Sequence, residues 1–191
     1  MRLKVCLLGP ACVGKTCLLQ TYVKGEIVSD IASTIGIDFV CKSVYINNKP
    51  IKVEFWDTAG AERFQNLIPS YVRDSHVVCL IFDRTNVDEN MIYTWLNIVE
   101  QRCCKETLVS LLLNKHDLTV PSDINGIDTD KIINSFKRNG WDIVCGVTSV
   151  YLPHLFKTHI EKRLGEVNIL SNITKPTVKI RRVLRRKKTC C

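Results

Sequence analysis

The segment GPACVGKT, which begins at Gly9 after the apolar run KVCLL, has the spacing with the clearest chemical meaning in the chain. Gly9, Gly14, Lys15 and Thr16 fit G-x-x-x-x-G-K-[ST], in which glycines let backbone N–H groups approach phosphate oxygens. The lysine would lie beside the terminal phosphates, and the threonine hydroxyl would bind Mg²⁺. A helix that follows would direct its positive end at the same anions. The pattern predicts a phosphate-binding loop, whose other nucleotide-lining residues are Ala11, Cys12, Val13 and Cys17.

The segment WDTAG at 56–60 supplies a second part of the same chemistry. A carboxylate at the end of a strand, Asp57, could hold the magnesium ion through a water molecule. Gly60 has no Cβ, so its N–H could turn toward a γ-phosphate. Alone this segment could be an ordinary polar turn, but its distance from the phosphate loop favours a role at the nucleotide.

The segment NKHD at 114–117 indicates which base is bound. Asp117 could accept hydrogen bonds from N1 and the 2-amino group of guanine, which adenine cannot supply. With the wrong base a buried carboxylate is left unpaired, at a cost of about 1–3 kcal/mol or more. Asn114 and Lys115 would brace the loop and cover the base plane. Alone these residues would be a surface turn, but as the third member of an ordered set they predict guanine binding.

These residues need a scaffold, and apolar runs alternate with helical patterns through most of the chain. The runs VVCLIFD at 77–83 and LVSLLLN at 108–114 are typical of strands buried on both faces of a parallel sheet. The runs DFVCKSVYI and IKVEFW, joined by the turn NNKP, predict a hairpin. The alternation predicts an α/β doubly wound sheet with helices on both faces.

The remaining elements follow from the same patterns. LKVCLL predicts the first strand and WDIVCGV the last. Helical spacing predicts helices after the phosphate loop, between the two buried strands, after Asp128 or Thr129, and over 152–164. After about residue 166 the periodicity fails, which predicts one domain over 1–166 and a flexible basic tail over 167–191.

Composition limits the classes of protein to which the chain could belong. Its 191 residues, 46% hydrophobic and 24% charged, are typical of one globular domain. The apolar runs are shorter than the roughly 20 residues that span a bilayer, and the first run is too short for a signal peptide. Among the ten cysteines, the first eight show neither C-x-x-C nor paired zinc spacing, which favours a reducing cytosol.

Taken together, the segments resemble the Rab branch of the Ras-like small GTPases. The phosphate loop, TIGIDF at 34–39, WDTAGAERF and NKHD occur in the family's order, and the resemblance covers roughly residues 2–165 and the final dipeptide. TIGIDF matches the Rab switch I segment rather than that of Ras or Rho, and it implies that Thr34 binds Mg²⁺ and senses the γ-phosphate. LIPSYVRDS and FDRTNV further resemble the Golgi-associated Rab subclass.

The resemblance implies a P-loop NTPase of the small GTPase fold, with a mostly parallel six-stranded sheet and one antiparallel hairpin. It implies a monomeric GTP hydrolase that binds GTP, GDP and Mg²⁺ and regulates vesicle and protein transport. Implied partners are an exchange factor, a GTPase-activating protein, a GDP-dissociation inhibitor, a prenylation escort and GTP-state effectors. The effectors would meet an aromatic triad of Phe39, Trp56 and Tyr71, although ordinary packing also explains these rings.

One departure from the family affects catalysis. Ala61 stands where a glutamine usually orients the attacking water, and a methyl group cannot form that hydrogen bond. Intrinsic hydrolysis through Lys15, Thr34 and Gly60 is therefore expected to be slow and to depend on an activating partner. The alternative is a GTP-binding scaffold that does not hydrolyse the nucleotide.

Two further departures concern the base. Ile27 replaces an aromatic ring that commonly packs across guanine, which predicts faster nucleotide release. The family's S-A-K triplet is absent, and an ungapped count from Phe156 assigns its place to CGV, Cys145 to Val147. There Gly146 would offer a backbone N–H to guanine O6. The alternative assignment is TSV at 148–150, which requires a shorter loop afterwards.

The tail carries the excess charge and a lipidation signal. Of 27 Lys and Arg residues, eight lie from Lys175 onward with no acid among them, and the other 19 equal the number of Asp and Glu residues. Cys190 and Cys191 resemble the doubly geranylgeranylated end of Rab proteins, since two lipid chains are needed for stable anchoring. The segment RRVLRRKK would add attraction to anionic lipids. A nucleic-acid-binding or nuclear-localisation role is the alternative, but no aromatic residues alternate with the charges. The expected location is the cytoplasmic face of endomembranes, with cycling through the cytosol.

Overall fold

The structure is a computed structural model that describes residues 2–28, 34, 36–46, 48–60, 68–118, 128–138, 140–149 and 153–173. Within these residues it contains six strands and five helices. In chain order they are β1 (Arg2–Leu8), α1 (Lys15–Lys24), β2 (Ile37–Ile46), β3 (Lys49–Thr58), α2 (Ile68–Val72), β4 (Val77–Asp83), α3 (Glu89–Arg102), β5 (Leu108–Asn114), α4 (Thr129–Arg138), β6 (Ile143–Val147) and α5 (Pro153–Ile173).

All six strands form one sheet, in the order β2-β3-β1-β4-β5-β6. The hairpin β2–β3 is antiparallel, and every other neighbouring pair is parallel. The predicted α/β sheet with a single antiparallel hairpin is confirmed. The continuously apolar runs of β4 and β5 are interior strands of this sheet and are almost wholly buried, as expected for strands covered on both faces.

Alternation of side chains along the strands divides the apolar residues between two cores. One core lies between the sheet and the helices α1 and α5, with Leu18, Phe156 and Leu164 among its members. The other lies between the opposite face of the sheet and α2, α3 and α4, with Val72 and Trp95 among its members. Helices therefore cover both faces, as predicted.

Local signals set the ends of two helices. Asp88 caps α3 by accepting a hydrogen bond from the N–H of Met91 at 2.7 Å. Asp128 accepts from the N–H of Lys131 at 2.8 Å, so it is the cap of α4, and Thr129 is the first helical residue.

One helix and two element boundaries differ from the sequence-based prediction. Helix α2 has only five residues, fewer than two turns, and was not predicted because so short a segment shows no periodicity. The hairpin turn is tighter than NNKP, since Lys49 and Pro50 already pair with Ile46 and Tyr45. Helix α5 continues past residue 166 to Ile173, with Val167 buried in the core, so the predicted helix end is too early. Residues 174–191 lie outside the described residues.

The parallel strands place the candidate residues at one edge of the sheet. The loops after β1, β3, β5 and β6 all leave from the carboxyl ends of strands that run in the same direction. Such an edge is where α/β sheets bind ligands. In the part of the chain that the structure describes, no helix is both long and apolar enough to cross a bilayer.

Candidate nucleotide-binding site

Two glycines of the phosphate loop could not be replaced by any other residue without displacing the neighbouring atoms. Gly9 has φ 139°, and a Cβ there would lie 2.0 Å from the carbonyl oxygen of Ile81. Gly14 has φ 92° and precedes α1, and a Cβ there would lie 2.6 Å from the side-chain nitrogen of Asn114. The loop therefore packs directly against β4 and the last residue of β5. This close packing fixes its backbone in front of the N-terminus of α1.

Lys15 lies inside this loop rather than in solvent. Its side chain is buried, and Nζ donates to the carbonyl oxygens of Gly9 at 2.9 Å and Pro10 at 2.6 Å. Burial lowers the pKa of Lys15 to about 8, although the nearby charge of Asp57 opposes this shift. An ammonium group held by neutral carbonyls is well placed to gain anionic partners, because phosphate oxygens would compensate its charge.

Two hydroxyls and one carboxylate meet beside the first turn of α1. Thr16 Oγ1 lies 2.6 Å from Asp57 Oδ2 and 2.8 Å from Thr34 Oγ1. Thr34 Oγ1 also donates to Asp57 Oδ2 at 3.1 Å. All three residues predicted to hold magnesium are thus brought together from α1, switch I and the end of β3.

The chemistry of this cluster fits a magnesium ion. The other carboxylate oxygen, Asp57 Oδ1, is buried and has no hydrogen-bond partner among the described residues. Burial raises the pKa of Asp57, although hydrogen bonds from Thr16 and Thr34 and the charge of Lys15 oppose the shift. Mg²⁺ is commonly held by one or two carboxylates together with phosphates and water, so a hard cation suits this set of oxygens.

Gly60 follows β3 and lies against the same loop. A Cβ at Gly60 would lie 2.3 Å from the carbonyl oxygen of Pro10 and 2.5 Å from Lys15 Nζ. Only glycine fits this close approach. The structure therefore brings the backbone of Gly60 to the side chain that is predicted to lie beside the terminal phosphates. The neighbouring Ala61 lies outside the described residues.

At the other end of the site, Asn114 joins three loops. Its Nδ2 donates to the carbonyl oxygen of Val13 at 2.7 Å, and its Oδ1 accepts from Thr148 Oγ1 at 3.1 Å. The next residue, Lys115, has φ 62°, and its Nζ contacts Asp83 Oδ2 at 2.6 Å. Burial alone would raise the pKa of Asp83, but hydrogen bonds from Lys115 and Thr85 hold it below its ordinary value. Asp83 was not predicted, although its place at the end of β4 is a signal that could have found it.

Ser149 lies beside Asp117, the residue predicted to read the base. The Ser149 hydroxyl, itself fully buried, donates a hydrogen bond to Asp117 Oδ1. The backbone is joined at the same place, since the N–H of His116 donates to the carbonyl oxygen of Thr148 at 3.1 Å. The segment that meets NKHD therefore begins at Thr148.

This geometry favours the alternative assignment of the third base-contacting segment over the ungapped one. Cys145, Gly146 and Val147 belong to strand β6 and pair with residues of β5, ending at Leu113↔Val147. Gly146 is explained by packing, because a Cβ there would lie 2.8 Å from His159 Nδ1 on α5. Thr148 and Ser149 of the alternative segment TSV lie next to the NKHD segment, and Val150 lies outside the described residues.

The register between β5 and β6 shows how the sequence could have given this result. Leu113 pairs with Val147, so Asn114 and Thr148 leave the sheet at the same level. Matching the ends of the two apolar strands, rather than counting back from a helix, places Thr148 and Ser149 beside the NKHD segment.

The remaining predicted residues occupy more exposed places. Ala11 and Cys12 are exposed at the rim of the loop, Val13 is buried and Cys17 is partly buried. Ile27 is 52% exposed after the end of α1. The predicted lipidation sites Cys190 and Cys191 lie outside the described residues.

Two of the three predicted effector-facing rings form a stacked pair. The rings of Phe39 and Trp56 are 5.8 Å apart with an interplanar angle of 27°, and Phe39 is 59% exposed. Lys4 Nζ lies 4.5 Å from the centre of the Trp56 ring on the adjacent strand. Trp56 also packs against the core on the α3 side, so both the packing and the surface interpretation fit it. Tyr71 lies on α2 and is partly exposed.

Comparison with known proteins supports the resemblance to the Ras-like small GTPases. The family profile described as "Roc: Ras of Complex, Roc, domain of DAPkinase" matches residues 4–117. The chain is 30% identical over 194 residues to "Ras-related protein RABD2a" of Arabidopsis thaliana, covering 98% of this chain and 95% of that protein. It is 36% identical over 130 residues to "Ras-related protein Rab-4" of Dictyostelium discoideum, covering 68% of this chain and 63% of that protein.

Proposed function

Because the chain belongs to the Rab family of Ras-like small GTPases, we propose that it is a GTP-regulated membrane switch in vesicle trafficking. One observation carries the proposal. The cluster of Lys15, Thr16, Thr34 and Asp57 lies on the same sheet edge as the Asp117–Ser149 pair. Asn114 joins the segments that carry them, through hydrogen bonds with Val13 and Thr148. In this proposal one end of the edge binds the triphosphate and the other end binds the purine.

In this proposal each residue has a separate task. Lys15 and the loop backbone bind the phosphates, while Thr16, Thr34 and Asp57 hold Mg²⁺ with phosphate oxygens. Bound Mg²⁺ neutralises charge that develops on the phosphates. The backbone N–H of Gly60 contacts the γ-phosphate and so senses whether it is present. Loss of that phosphate would release Thr34 and Gly60 together, which is the order–disorder change by which such switches signal.

Guanine recognition rests on Asp117 and on the residues that hold it. Asp117 accepts hydrogen bonds from the base, with one oxygen oriented by Ser149. Purified protein should therefore retain GDP, and guanine nucleotides should displace a fluorescent GDP analogue whereas adenine nucleotides should not. Equal competition by ATP would contradict the proposed specificity.

We further propose that hydrolysis is slow because Ala61 cannot orient water. An arginine supplied by an activating protein contributes about 10³–10⁵ in rate in this type of site, so turnover would depend on that partner. Single-turnover GTP hydrolysis should be faster in Ala61→Gln than in the wild type. Equal rates would remove Ala61 as the cause. The non-hydrolysing scaffold is the competing proposal. It predicts that a Rab-activating protein adds no hydrolysis to the wild type or to Ala61→Gln.

The membrane part of the proposal rests on the basic segment and the adjacent cysteines. Geranylgeranyl groups on Cys190 and Cys191, with the positive residues before them, would hold the protein on the cytoplasmic face of an endomembrane. An escort protein would present it for prenylation, and a dissociation inhibitor would return it to the cytosol. An exchange factor would load GTP, and effectors would bind the face that carries Phe39.

A further inference from the structure

A cavity of about 390 Å³ lies between α2 and the end of α3. None of the residues that line it belongs to the proposed nucleotide site. Two arginines face it from different elements: Arg73 directly after α2, and Arg102 as the last residue of α3. The remaining lining residues are Pro69, Ser70 and Gln101.

The backbone on both sides of the cavity is held in place. Lys4 Nζ donates to the carbonyl oxygen of Arg73 at 2.8 Å. On the α3 side, the thiol of Cys103 lies 3.8 Å from the carbonyl oxygen of Val72. The backbone N–H of Cys103 donates to the carbonyl oxygen of Val99 at 2.9 Å. Val72 and Val99 are buried in the same core. The two arginines therefore project from fixed positions.

The two guanidinium groups are not neutralised within the described part of the chain. The ion pairs found there involve Arg2, Lys115 and Arg163, but neither Arg73 nor Arg102. A position near the negative C-terminal end of α3 explains why an arginine at 102 is tolerated. This explanation applies only weakly to Arg73, because helix α2, which Arg73 follows, has only five residues. Two exposed cations at one polar cavity leave a site for an anion.

We propose that this cavity binds the phosphate group of a phosphorylated segment in a protein partner, outside the nucleotide cycle. A phosphate monoester carries about −1.5 to −2 charge at pH 7, which matches two guanidinium groups better than a single carboxylate does. Arginine forks bind phosphate oxygens through paired hydrogen bonds. The amide of Gln101 supplies a further donor of the right kind.

The position of the cavity favours a protein partner over a lipid headgroup. It lies on the α2–α3 face of the sheet, whereas α5, which leads to the basic tail, covers the opposite face. Lys4 also connects the cavity to the aromatic pair, since the same ammonium that holds the Arg73 carbonyl lies over the Trp56 ring. A partner on the exposed Phe39 ring would have the cavity beside it.

The test uses the full chain loaded with GDP and Mg²⁺, so that the phosphate loop is occupied. The probe is a five-residue peptide with a central phosphoserine and otherwise uncharged side chains, labelled with fluorescein and followed by anisotropy. We expect saturable binding that Arg73→Gln and Arg102→Gln each weaken about tenfold or more, since hydrogen bonds to charged groups are of that strength. Arg73→Lys should fall between the wild type and Arg73→Gln, because charge is kept and the fork is lost.

Arg138→Gln is the matched control, because Arg138 is an exposed arginine in the last turn of another helix, α4. It should bind the peptide within about twofold of the wild type. Retention of GDP and the thermal melting curve are recorded for every variant, so that a failure of nucleotide binding or of folding is seen separately.

Several results would overturn the proposal. These are unchanged binding in both arginine variants, equal loss in Arg138→Gln, and equal binding of the unphosphorylated peptide. Binding of inorganic phosphate or of phosphoinositide vesicles through the two arginines, without binding of the phosphopeptide, would overturn the assignment to a protein partner.

Discussion

Lys15 and Asp57 carry opposite charges in one buried pocket, and burial disfavours the charged form of each. The pKa of Lys15 is lowered to about 8, and that of Asp57 is raised. Their mutual attraction opposes both shifts without removing them. Phosphates near the ammonium and a divalent cation near the carboxylate would restore the charged forms, so binding of the nucleotide should move protons.

Binding of GDP and Mg²⁺ at pH 8.5 should therefore take up protons. Near this pH a Lys15 with a pKa of about 8 is largely neutral, and phosphate oxygens raise its pKa and recharge it. Calorimetry in two buffers of different ionisation enthalpy measures the uptake, which should disappear below about pH 6.5 as far as Lys15 is concerned. Cys12→Ser, which removes the other ionisable side chain of the loop, should keep the effect.

The same shift predicts how the nucleotide-free protein responds to base. The folded form of Lys15 binds fewer protons than the unfolded form between about pH 8 and 10.5, the ordinary pKa of a lysine side chain. The contribution of Lys15 to the free energy of unfolding should therefore rise with pH across this window. It should be lost as the pH falls through about 8. Urea unfolding of nucleotide-free protein at several pH values, compared with Lys15→Met, measures this slope, and a slope that is unchanged in the variant would contradict it.

Ser149 donates to Asp117, the residue proposed to read the base, so removal of the Ser149 hydroxyl should speed nucleotide release. Loss of a hydrogen bond to a charged group costs about 1.5–3 kcal/mol, so Ser149→Ala should release GDP about tenfold faster or more. Stopped-flow displacement of a fluorescent GDP analogue gives the rate. Val147→Ala, at an exposed position of β6, serves as the control. A larger effect at Val147 than at Ser149 would restore the CGV assignment.

At the scale of elements, α5 contains a glycine that packing does not require. Gly165 is helical, and a Cβ there would lie 3.8 Å from Ile46, an ordinary contact. Gly165→Ala should therefore raise the free energy of unfolding by about 0.5–1 kcal/mol. Chemical denaturation of the full chain with GDP bound measures the change.

Gly146 on β6 is the matched opposite case. Its Cβ would lie 2.8 Å from His159 and 3.1 Å from Leu112, so Gly146→Ala should lower stability by about 1–3 kcal/mol. If Gly146→Ala left stability unchanged or raised it, as is expected for Gly165→Ala, the close packing of α5 on β6 would be contradicted.

The elements also show what the sequence can and cannot predict. Strands β4 and β5 were predicted with their observed ends, because long apolar runs bounded by polar residues leave little choice of register. Helix α2 was missed because its two buried residues, Ile68 and Val72, mark only one face of a short turn. The phosphate loop and NKHD were located by spacing alone. The contact between Ser149 and Asp117 joins residues 32 apart, and strand pairing rather than local pattern creates it.

At the scale of the whole molecule, charge is distributed unevenly along the chain. The eight basic residues from Lys175 onward account for the formal net charge of +8, and the preceding residues are balanced. If this segment and two lipids act together, the double variant Cys190→Ser/Cys191→Ser should move from the membrane pellet to the supernatant on cell fractionation. Basic residues alone add only about 1 kcal/mol each near an anionic surface, and salt screens them.

The control for this prediction is a serine substitution at Cys104, an exposed cysteine within the domain. Cys104→Ser should pellet like the wild type. Unchanged pelleting of the double variant would reject the lipid anchor and leave the basic segment or a partner as the source of attachment.

The side-chain amide of Asn114 packs closely against Gly14 and donates to the carbonyl oxygen of Val13. The NKHD segment and the phosphate loop are therefore joined at this one residue. Movement of either segment away from the other would break this hydrogen bond. A regulator that displaces either the phosphate loop or the NKHD segment would thus weaken the other part of the site as well. The nucleotide would then be released in one cooperative step and not in stages.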